Sequence, residues 1–130
     1  MNFYITILGS GAATPTLGRH CSAQMINMNG HRMLLDCGEA TQSQMRAFHQ
    51  KMQSVGTIFL SHLHGDHIFG LPGLLASMHL CGKNDGVTVY SPPGLGDVMH
   101  RLFEVSGTHL DYPLSFVEID PSALNGPTEI

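Results

Sequence analysis

The sequence has few cysteines and no long apolar run, and each of these absences excludes a class of protein. No continuous apolar stretch approaches the roughly 20 residues that a transmembrane helix requires. The three cysteines, Cys21, Cys37 and Cys81, are odd in number and show no CxxC spacing, which is typical of a reduced, cytoplasmic protein and not of a disulfide framework. The N-terminal stretch MNFYITILGSG has no basic region, so we expect neither a signal peptide nor a membrane association.

Basic charge is also scarce. Six Lys and Arg residues stand against ten Asp and Glu residues, for a formal net charge of −4. The basic residues are scattered along the chain, whereas a nucleic-acid-binding protein usually has a basic stripe because phosphate contacts supply most of its affinity. The sequence therefore argues against a self-contained nucleic-acid-binding module.

The hydrophobic pattern predicts strands that alternate with helices. Predicted strands cover residues 3–8, 55–62, 87–91 and 114–120, and a hairpin with an Asn29-Gly30 turn covers residues 22–36. Predicted helices cover residues 38–51, with Met45, Phe48 and Met52 on one face, then residues 71–80 and 94–105. This alternation indicates an α/β fold, and the early hairpin indicates a mixed sheet. A chain of 130 residues forms a single domain or part of one.

The stretch SHLHGDH concentrates metal ligands in seven residues. His62 and His64 are two apart at the end of a predicted strand, where side chains at i and i+2 share a face. Gly65 permits a sharp turn, which returns Asp66 and His67 to the same place. Imidazole and carboxylate ligands without a thiolate suit Zn²⁺, and Mn²⁺ and Fe²⁺ are also compatible. We interpret the remaining histidines as surface or core residues: His20, His31, His49, His79, His100 and His109.

Three motifs together carry a family resemblance. SHLHGDH has the HxHxDH pattern of the metallo-β-lactamase superfamily, and its extension SHLHGDHIFGLPGLL resembles ribonuclease Z, the tRNA 3′-processing endonuclease. ILGSGAATPT and LLDCGEATQ resemble two further segments of that family, in the same order along the chain. The sequence departs from the family at Ala40, where a glycine is common, and in TLGRHCSA, which is less basic than usual.

The resemblance implies a metallo-β-lactamase fold, an αββα sandwich. Residues 1–130 would form the N-terminal portion of a single such domain, with its C-terminal half, and the remaining ligands, missing from this chain. The full-length enzyme would be a cytoplasmic homodimer with two Zn²⁺ per subunit. His62 and His64 would hold the first ion, and Asp66 and His67 the second.

The activity that the resemblance implies is hydrolysis of precursor tRNA after the discriminator nucleotide, leaving a tRNA 3′-hydroxyl and a 5′-phosphorylated trailer. Asp66 would also accept a proton from the attacking water. Two adjacent metal ions activate water and clamp a phosphate in such reactions. With about half of the ligands, the 130-residue chain alone is expected to bind metal weakly and to be inactive. It is also expected to expose a face and a sheet edge that favour self-association.

Two other functions remain open. A hydrolase of small esters, thioesters, lactones or sulfate esters would use the same motif, and a truncated, non-catalytic piece would bind metal or a partner without turnover.

The supporting roles of several residues also stay open. Asp36 is either a hydrogen-bond partner of a metal-bound histidine or a carboxylate in a local turn. Glu39 is expected to cap the following helix, and Cys37 is expected to be buried and to pack in the core. Gly9 and Gly11 either let backbone approach the site or form a tight turn.

Overall fold

The computed structural model describes residues 1–130, and its central feature is one six-stranded mixed sheet whose strand order follows the sequence from β1 to β6. The strands are β1 (Phe3–Gly9), β2 (Ala23–Met28), β3 (His31–Leu35), β4 (Val55–Phe59), β5 (Val87–Ser91) and β6 (Leu114–Glu118). The first three strands pair antiparallel, and β3 to β6 pair parallel. The predicted α/β class with a mixed sheet is confirmed.

The hairpin between β2 and β3 turns where the sequence predicts. Asn29 has a φ of 52° and Gly30 a φ of 86°, and a type I′ turn requires positive φ at both central residues. The turn aligns Met28 with His31 and Ile26 with Met33. This register places the side chains of alternate residues on the same face of the sheet.

Four helices connect the strands, and two are close to their predicted bounds. The helices are α1 (Thr41–Ala47), α2 (Gly65–Ile68), α3 (Leu71–Leu80) and α4 (Leu95–Ser106), with short 3₁₀ helices at Met52–Ser54 and Pro121–Ala123. Pro72 lies in the first turn of α3, where a backbone N–H has no partner within the helix, so proline is tolerated. None of the helices has the length and the apolar character that a membrane span requires.

The prediction for α1 was wrong at both ends. Ala40, immediately before the helix, has a φ of 67°, and His49 has a φ of 56°, so the backbone leaves helical geometry on either side. Phe48 therefore lies outside the helix and is 48% exposed, whereas Met45 is buried. Glu39 precedes the first turn, which contains no acidic residue and receives no side-chain cap. The expected capping role of Glu39 is thus wrong.

The hydrophobic core lies on one face of the sheet. Leu34, Ile58 and Val89, which are aligned across β3, β4 and β5, are fully buried together with Leu74 and Met78 of α3. Side chains alternate between the two faces along β1, so every second residue of this strand lies on the opposite face of the sheet.

The opposite face of the sheet is apolar and open at the β1 edge. Phe3, Ile5 and Ile7 are each half exposed, at 54%, 50% and 54%, and β1 is an edge strand with a free side. Exposed apolar surface next to an unpaired strand edge favours association with another chain. The self-association of this chain stays a prediction.

Glu118 caps α4 from the end of β6, and this contact predicts a pH-dependent stability. Its Oε1 accepts a hydrogen bond of 3.0 Å from the Gly96 amide, and amide donation from Gly96 and Gly94 holds the pKa of the carboxyl below its ordinary value of 4.5. Because the pKa is lowered in the folded state, the contribution to stability is present above about pH 4.5 and is lost as the pH falls through the folded value.

Glu118→Gln is therefore expected to lower the Tm by a few degrees at neutral pH, with the difference from the native chain shrinking in acid. Thermal unfolding from pH 3 to pH 8 measures it. Glu129→Gln, which removes the same charge among the exposed C-terminal residues, should leave the Tm unchanged. A Tm difference for Glu118→Gln that does not depend on pH would contradict the prediction.

Candidate metal centre

The metal-ligand motif lies at the carboxyl ends of β3 and β4, which are parallel neighbours. Asp36 directly follows β3, and its amide donates to the Phe59 carbonyl over 2.8 Å. Leu60 follows β4, and its amide donates to the Tyr90 carbonyl over 2.9 Å. Because parallel strands end at the same edge of a sheet, the two following loops meet there.

The predicted strand at 55–62 ends earlier than expected, so the argument that placed His62 and His64 on one strand face was wrong. β4 ends at Phe59, and both histidines lie in the loop between β4 and α2. The loop is short, and the His67 amide already donates to the His64 carbonyl over 2.9 Å. The two rings nevertheless lie close, with centroids 4.8 Å apart and planes at 81°.

Three of the four predicted ligands form one group. The ligand atoms of His62, Asp66 and His67 all lie within 4.8 Å of one another. The rings of His62 and His67 have centroids 4.0 Å apart, and the His67 Nε2 atom lies 3.3 Å from Asp66 Oδ2. His64 stands outside this group. The structure thus groups the first and third histidines of the motif with Asp66, while the ring of the second, His64, lies beside that of His62.

The carboxylate of Asp66 is held by the loop that follows β1. The Ala13 amide donates to Asp66 Oδ2 over 3.0 Å, and Ala13 itself has a φ of 63°. This amide, followed by the nearby His67 and His62, lowers the pKa of Asp66. The carboxyl is therefore ionised at neutral pH and available to a cation. Sequence reasoning did not find Ala13, because a backbone donor leaves no signature in residue type.

Asp36 is the hydrogen-bond partner of a candidate ligand histidine, His67. Its side chain is buried, with a residue exposure of 5%, and its Oδ2 lies 2.7 Å from Nδ1 of His67. Carboxylates in this position fix the orientation of metal-binding imidazoles. Of the two interpretations left open by the sequence, the structure therefore favours the first. Asp36 also has a φ of 60°, a conformation that short polar side chains tolerate better than others.

The role of Gly65 differs from the one predicted. The residue begins α2 and has no positive φ, so the turn does not depend on glycine's conformational freedom. A Cβ at this position would instead lie 2.1 Å from the Phe69 ring. Phe69 is 68% exposed, so its ring can turn aside, and neither space nor backbone conformation requires glycine here.

The glycines in the loop after β1 lie against another backbone segment, and not against the candidate metal ligands. A Cβ on Gly9 would lie 1.9 Å from the Cys21 carbonyl oxygen, and the Gly11 amide donates to the His20 carbonyl over 2.7 Å. Close approach between these two segments explains both residues.

Cys37 has the packing role expected from the sequence. It has no exposed surface and belongs to the hydrophobic core. Burial raises the pKa of its thiol to about 12, so the residue stays protonated and is not a metal ligand.

The residues present fit a divalent cation of the zinc type. Two imidazoles and one ionised carboxylate within ligand distance of each other match the nitrogen and oxygen donors that Zn²⁺ takes, with Mn²⁺ and Fe²⁺ also compatible.

Comparison with known proteins agrees with the fold and the motifs. A family model described as Anti-Pycsar protein Apyc1 matches residues 3–106. The chain belongs to this family. It is also 41% identical to Ribonuclease Z of Listeria innocua over 123 residues, covering 92% of this chain and 40% of that protein.

Two solved structures resemble this chain over most of its length. The crystal structure of human tRNase Z, short form, superposes with a TM-score of 0.86 at 41% identity, covering 92% of this chain and 45% of the human chain. The metallo-β-lactamase fold protein YhfI from Bacillus subtilis superposes with a TM-score of 0.72 at 18% identity, covering 94% of this chain and 48% of that one. The metallo-β-lactamase fold and the resemblance to ribonuclease Z are therefore confirmed. The chain spans about 40% of the length of the curated relatives that it matches.

Proposed function

We propose that residues 1–130 are the N-terminal portion of a metal-dependent endoribonuclease that removes 3′ trailers from precursor tRNA. One observation carries this proposal. The chain is 41% identical to Ribonuclease Z, and the ligand atoms of His62, Asp66 and His67 lie within 4.8 Å of one another. The cleavage leaves a tRNA 3′-hydroxyl and a 5′-phosphorylated trailer. In this proposal the full-length enzyme is a cytoplasmic homodimer with two Zn²⁺ per subunit.

His62, His64, Asp66 and His67 are the proposed ligands from this part of the chain. A bound Zn²⁺ would supply Lewis-acid activation of water and neutralise charge on a phosphate. In this proposal His62 and His64, whose ring centroids lie 4.8 Å apart, share one ion. Asp66 and His67, whose Oδ2 and Nε2 atoms lie 3.3 Å apart, hold the other.

Asp66 is the proposed catalytic residue. Its Oδ2 is oriented by the Ala13 amide, and its lowered pKa keeps the carboxylate ionised. An ionised carboxylate can accept a hydrogen bond from an attacking water and hold that water in line with a phosphate. The low pKa suits a ligand and an orienting acceptor better than a strong general base, whose pKa would lie near the working pH.

The test uses the full-length enzyme, its Asp66→Asn variant and a precursor tRNA, with the cut mapped at nucleotide resolution. We expect one cut after the discriminator base in the native enzyme. Its rate should fall by at least about 100-fold in Asp66→Asn, because a metal clamp contributes several kcal/mol of transition-state stabilisation. The 130-residue chain alone should give no cut.

Asp97→Asn is the matched control, since Asp97 is exposed in the first turn of α4. An uncut precursor tRNA, together with metal-dependent hydrolysis of a small ester or thioester, would reject the tRNA assignment in favour of a small-molecule hydrolase on the same fold.

A further inference from the structure

We propose that Ser61 is a positioning residue: its hydroxyl fixes the tautomer and the ring orientation of His62, in the same way that Asp36 fixes His67. The proposal rests on the metal centre described above and identifies what prepares its two histidines for binding. Ser61 belongs to the motif, but neither its residue type nor its spacing marks it as a ligand.

The geometry begins with the hydrogen bonds around Asp36. Its Oδ1 accepts from the Ser61 amide over 2.8 Å and from the Ser61 hydroxyl over 2.9 Å. Its Oδ2 accepts from Nδ1 of His67 over 2.7 Å and from the Ser22 hydroxyl over 3.3 Å. These four donors fill the roughly four acceptor sites of an ionised carboxylate. The buried charge is therefore well satisfied and its orientation is fixed.

The Ser61 hydroxyl also lies 3.1 Å from Nδ1 of His62 and 3.4 Å from Nδ1 of His67. Nδ1 of His67 is closer to Asp36 Oδ2, at 2.7 Å, so its proton is assigned to the bond with Asp36. A hydroxyl has one proton to donate, and the Asp36 carboxylate, which is surrounded by donors, acts as an acceptor. If the Ser61 proton went to His62, the hydroxyl oxygen and the carboxylate would face each other at 2.9 Å without a proton between them. The proton therefore belongs to the bond with Asp36, and the Ser61 oxygen accepts from His62.

This assignment fixes both imidazoles. His62 carries its proton on Nδ1 and donates it to Ser61, and His67 carries its proton on Nδ1 and donates it to Asp36. Each ring then presents an unprotonated Nε2, and Nε2 of His67 does face Asp66, at 3.3 Å. One buried carboxylate thus orients two ligands, one directly and one through a serine.

The first measurement is nitrogen NMR of the histidine rings in the metal-free chain, at a pH where the imidazoles are neutral. We expect Nδ1–H on both His62 and His67 in the native chain. Ser61→Ala should redistribute the proton of His62 between its two nitrogens while His67 keeps its tautomer. The Ser61 amide still donates to Asp36 in this variant, so the loop keeps one of its anchors. Ser61→Thr retains the hydroxyl and should restore the native tautomer.

Ser22→Ala is the matched control. Ser22 donates to the same carboxylate and makes no hydrogen bond to His62, so its removal should leave the His62 tautomer unchanged. An effect of Ser22→Ala equal to that of Ser61→Ala would show that Asp36 alone is responsible. Nε2–H on His62 of the native chain, or an unchanged tautomer in Ser61→Ala, would overturn the proposal. If Ser61→Ala does not fold, the native-chain spectrum still tests the proposal, because Nε2–H on His62 would overturn it.

The second measurement is a zinc titration of the full-length enzyme and its Ser61 variants. Ser61→Ala should bind Zn²⁺ about 10-fold more weakly, which is the lower end of the effect of removing such supporting partners, and Ser61→Thr should bind like the native chain. Equal zinc affinity in Ser61→Ala and the native chain would count against the positioning role. If the full-length enzyme had the native tautomers but bound no zinc, the metal centre itself would be rejected. Failure of the positioning role and failure of the metal centre are therefore distinguishable.

Discussion

Gly70→Ala is expected to destabilise the fold by about 3 kcal/mol or more, because the added methyl group would collide with backbone that cannot move aside. A Cβ on Gly70 would lie 2.0 Å from the Gly38 carbonyl oxygen. The backbone conformation of Gly70 is ordinary, with a φ of −86°, so the effect comes from the collision and not from strain in the turn.

The same contact supports the candidate metal centre. The Gly70 amide donates to the Cys37 carbonyl over 3.0 Å, and the Cys37 amide donates to the His67 carbonyl over 2.8 Å. These bonds hold the segment after β3 against α2. Gly70→Ala is therefore expected to disturb the position of Asp36 relative to His67 as well as the global stability.

Urea unfolding measures the first effect. Gly56→Ala is the matched control, since Gly56 lies in β4 with open space where a Cβ would stand and without a positive φ. Its effect should be small, or stabilising by about 0.5 kcal/mol through the reduced entropy of the unfolded chain. A midpoint for Gly70→Ala equal to that of Gly56→Ala would contradict the proposed close packing.

Asp36→Asn is expected to weaken Zn²⁺ binding by about 10-fold to 100-fold, the range seen when partners of metal-bound histidines are removed. An amide nitrogen cannot accept the hydrogen bonds that the carboxylate takes from Ser61 and His67. Asparagine is the appropriate replacement because, like Asp36 with its φ of 60°, it tolerates the left-handed region. The backbone should thus keep its shape while the orienting charge is lost.

Isothermal titration of zinc into the full-length enzyme and its Asp36→Asn variant, with circular dichroism to verify folding, tests this expectation. Asp97→Asn, which removes an equal charge from the exposed side of α4, should bind zinc like the native chain. Native affinity in a folded Asp36→Asn protein would show that His67 does not need its buried partner.

The two residues tested above differ in what the sequence revealed about them. Asp36 could be suspected, because a carboxylate at the end of a predicted strand meets neighbouring loops at the sheet edge. Gly70 could not, because its importance comes from the Gly38 backbone, 32 positions earlier in the chain. A close approach of two chain segments has no counterpart in local pattern.

Two predicted elements were longer than the observed ones. The predicted strand through His62 continued an apolar run, but the buried Asp36 accepts from both the amide and the hydroxyl of Ser61, so the chain leaves the sheet before the histidines. The predicted first helix followed good helix formers, but Ala40 and His49 adopt positive φ at its ends. In the first case tertiary contacts override local propensity; in the second, the backbone conformation of the flanking residues ends the helix.

The sequence by itself determined the α/β class, the mixed sheet, the hairpin turn and the motif that carries the candidate metal ligands, because these depend on residue type and on periodicity along the chain. Only the tertiary structure decided which ligands meet, with His62, Asp66 and His67 grouped and His64 apart. It also supplied the orienting contacts from Asp36, Ser61 and the Ala13 amide. The physical reason is that a hydrogen bond depends on distance in space, and these donors and acceptors come from segments far apart in the chain.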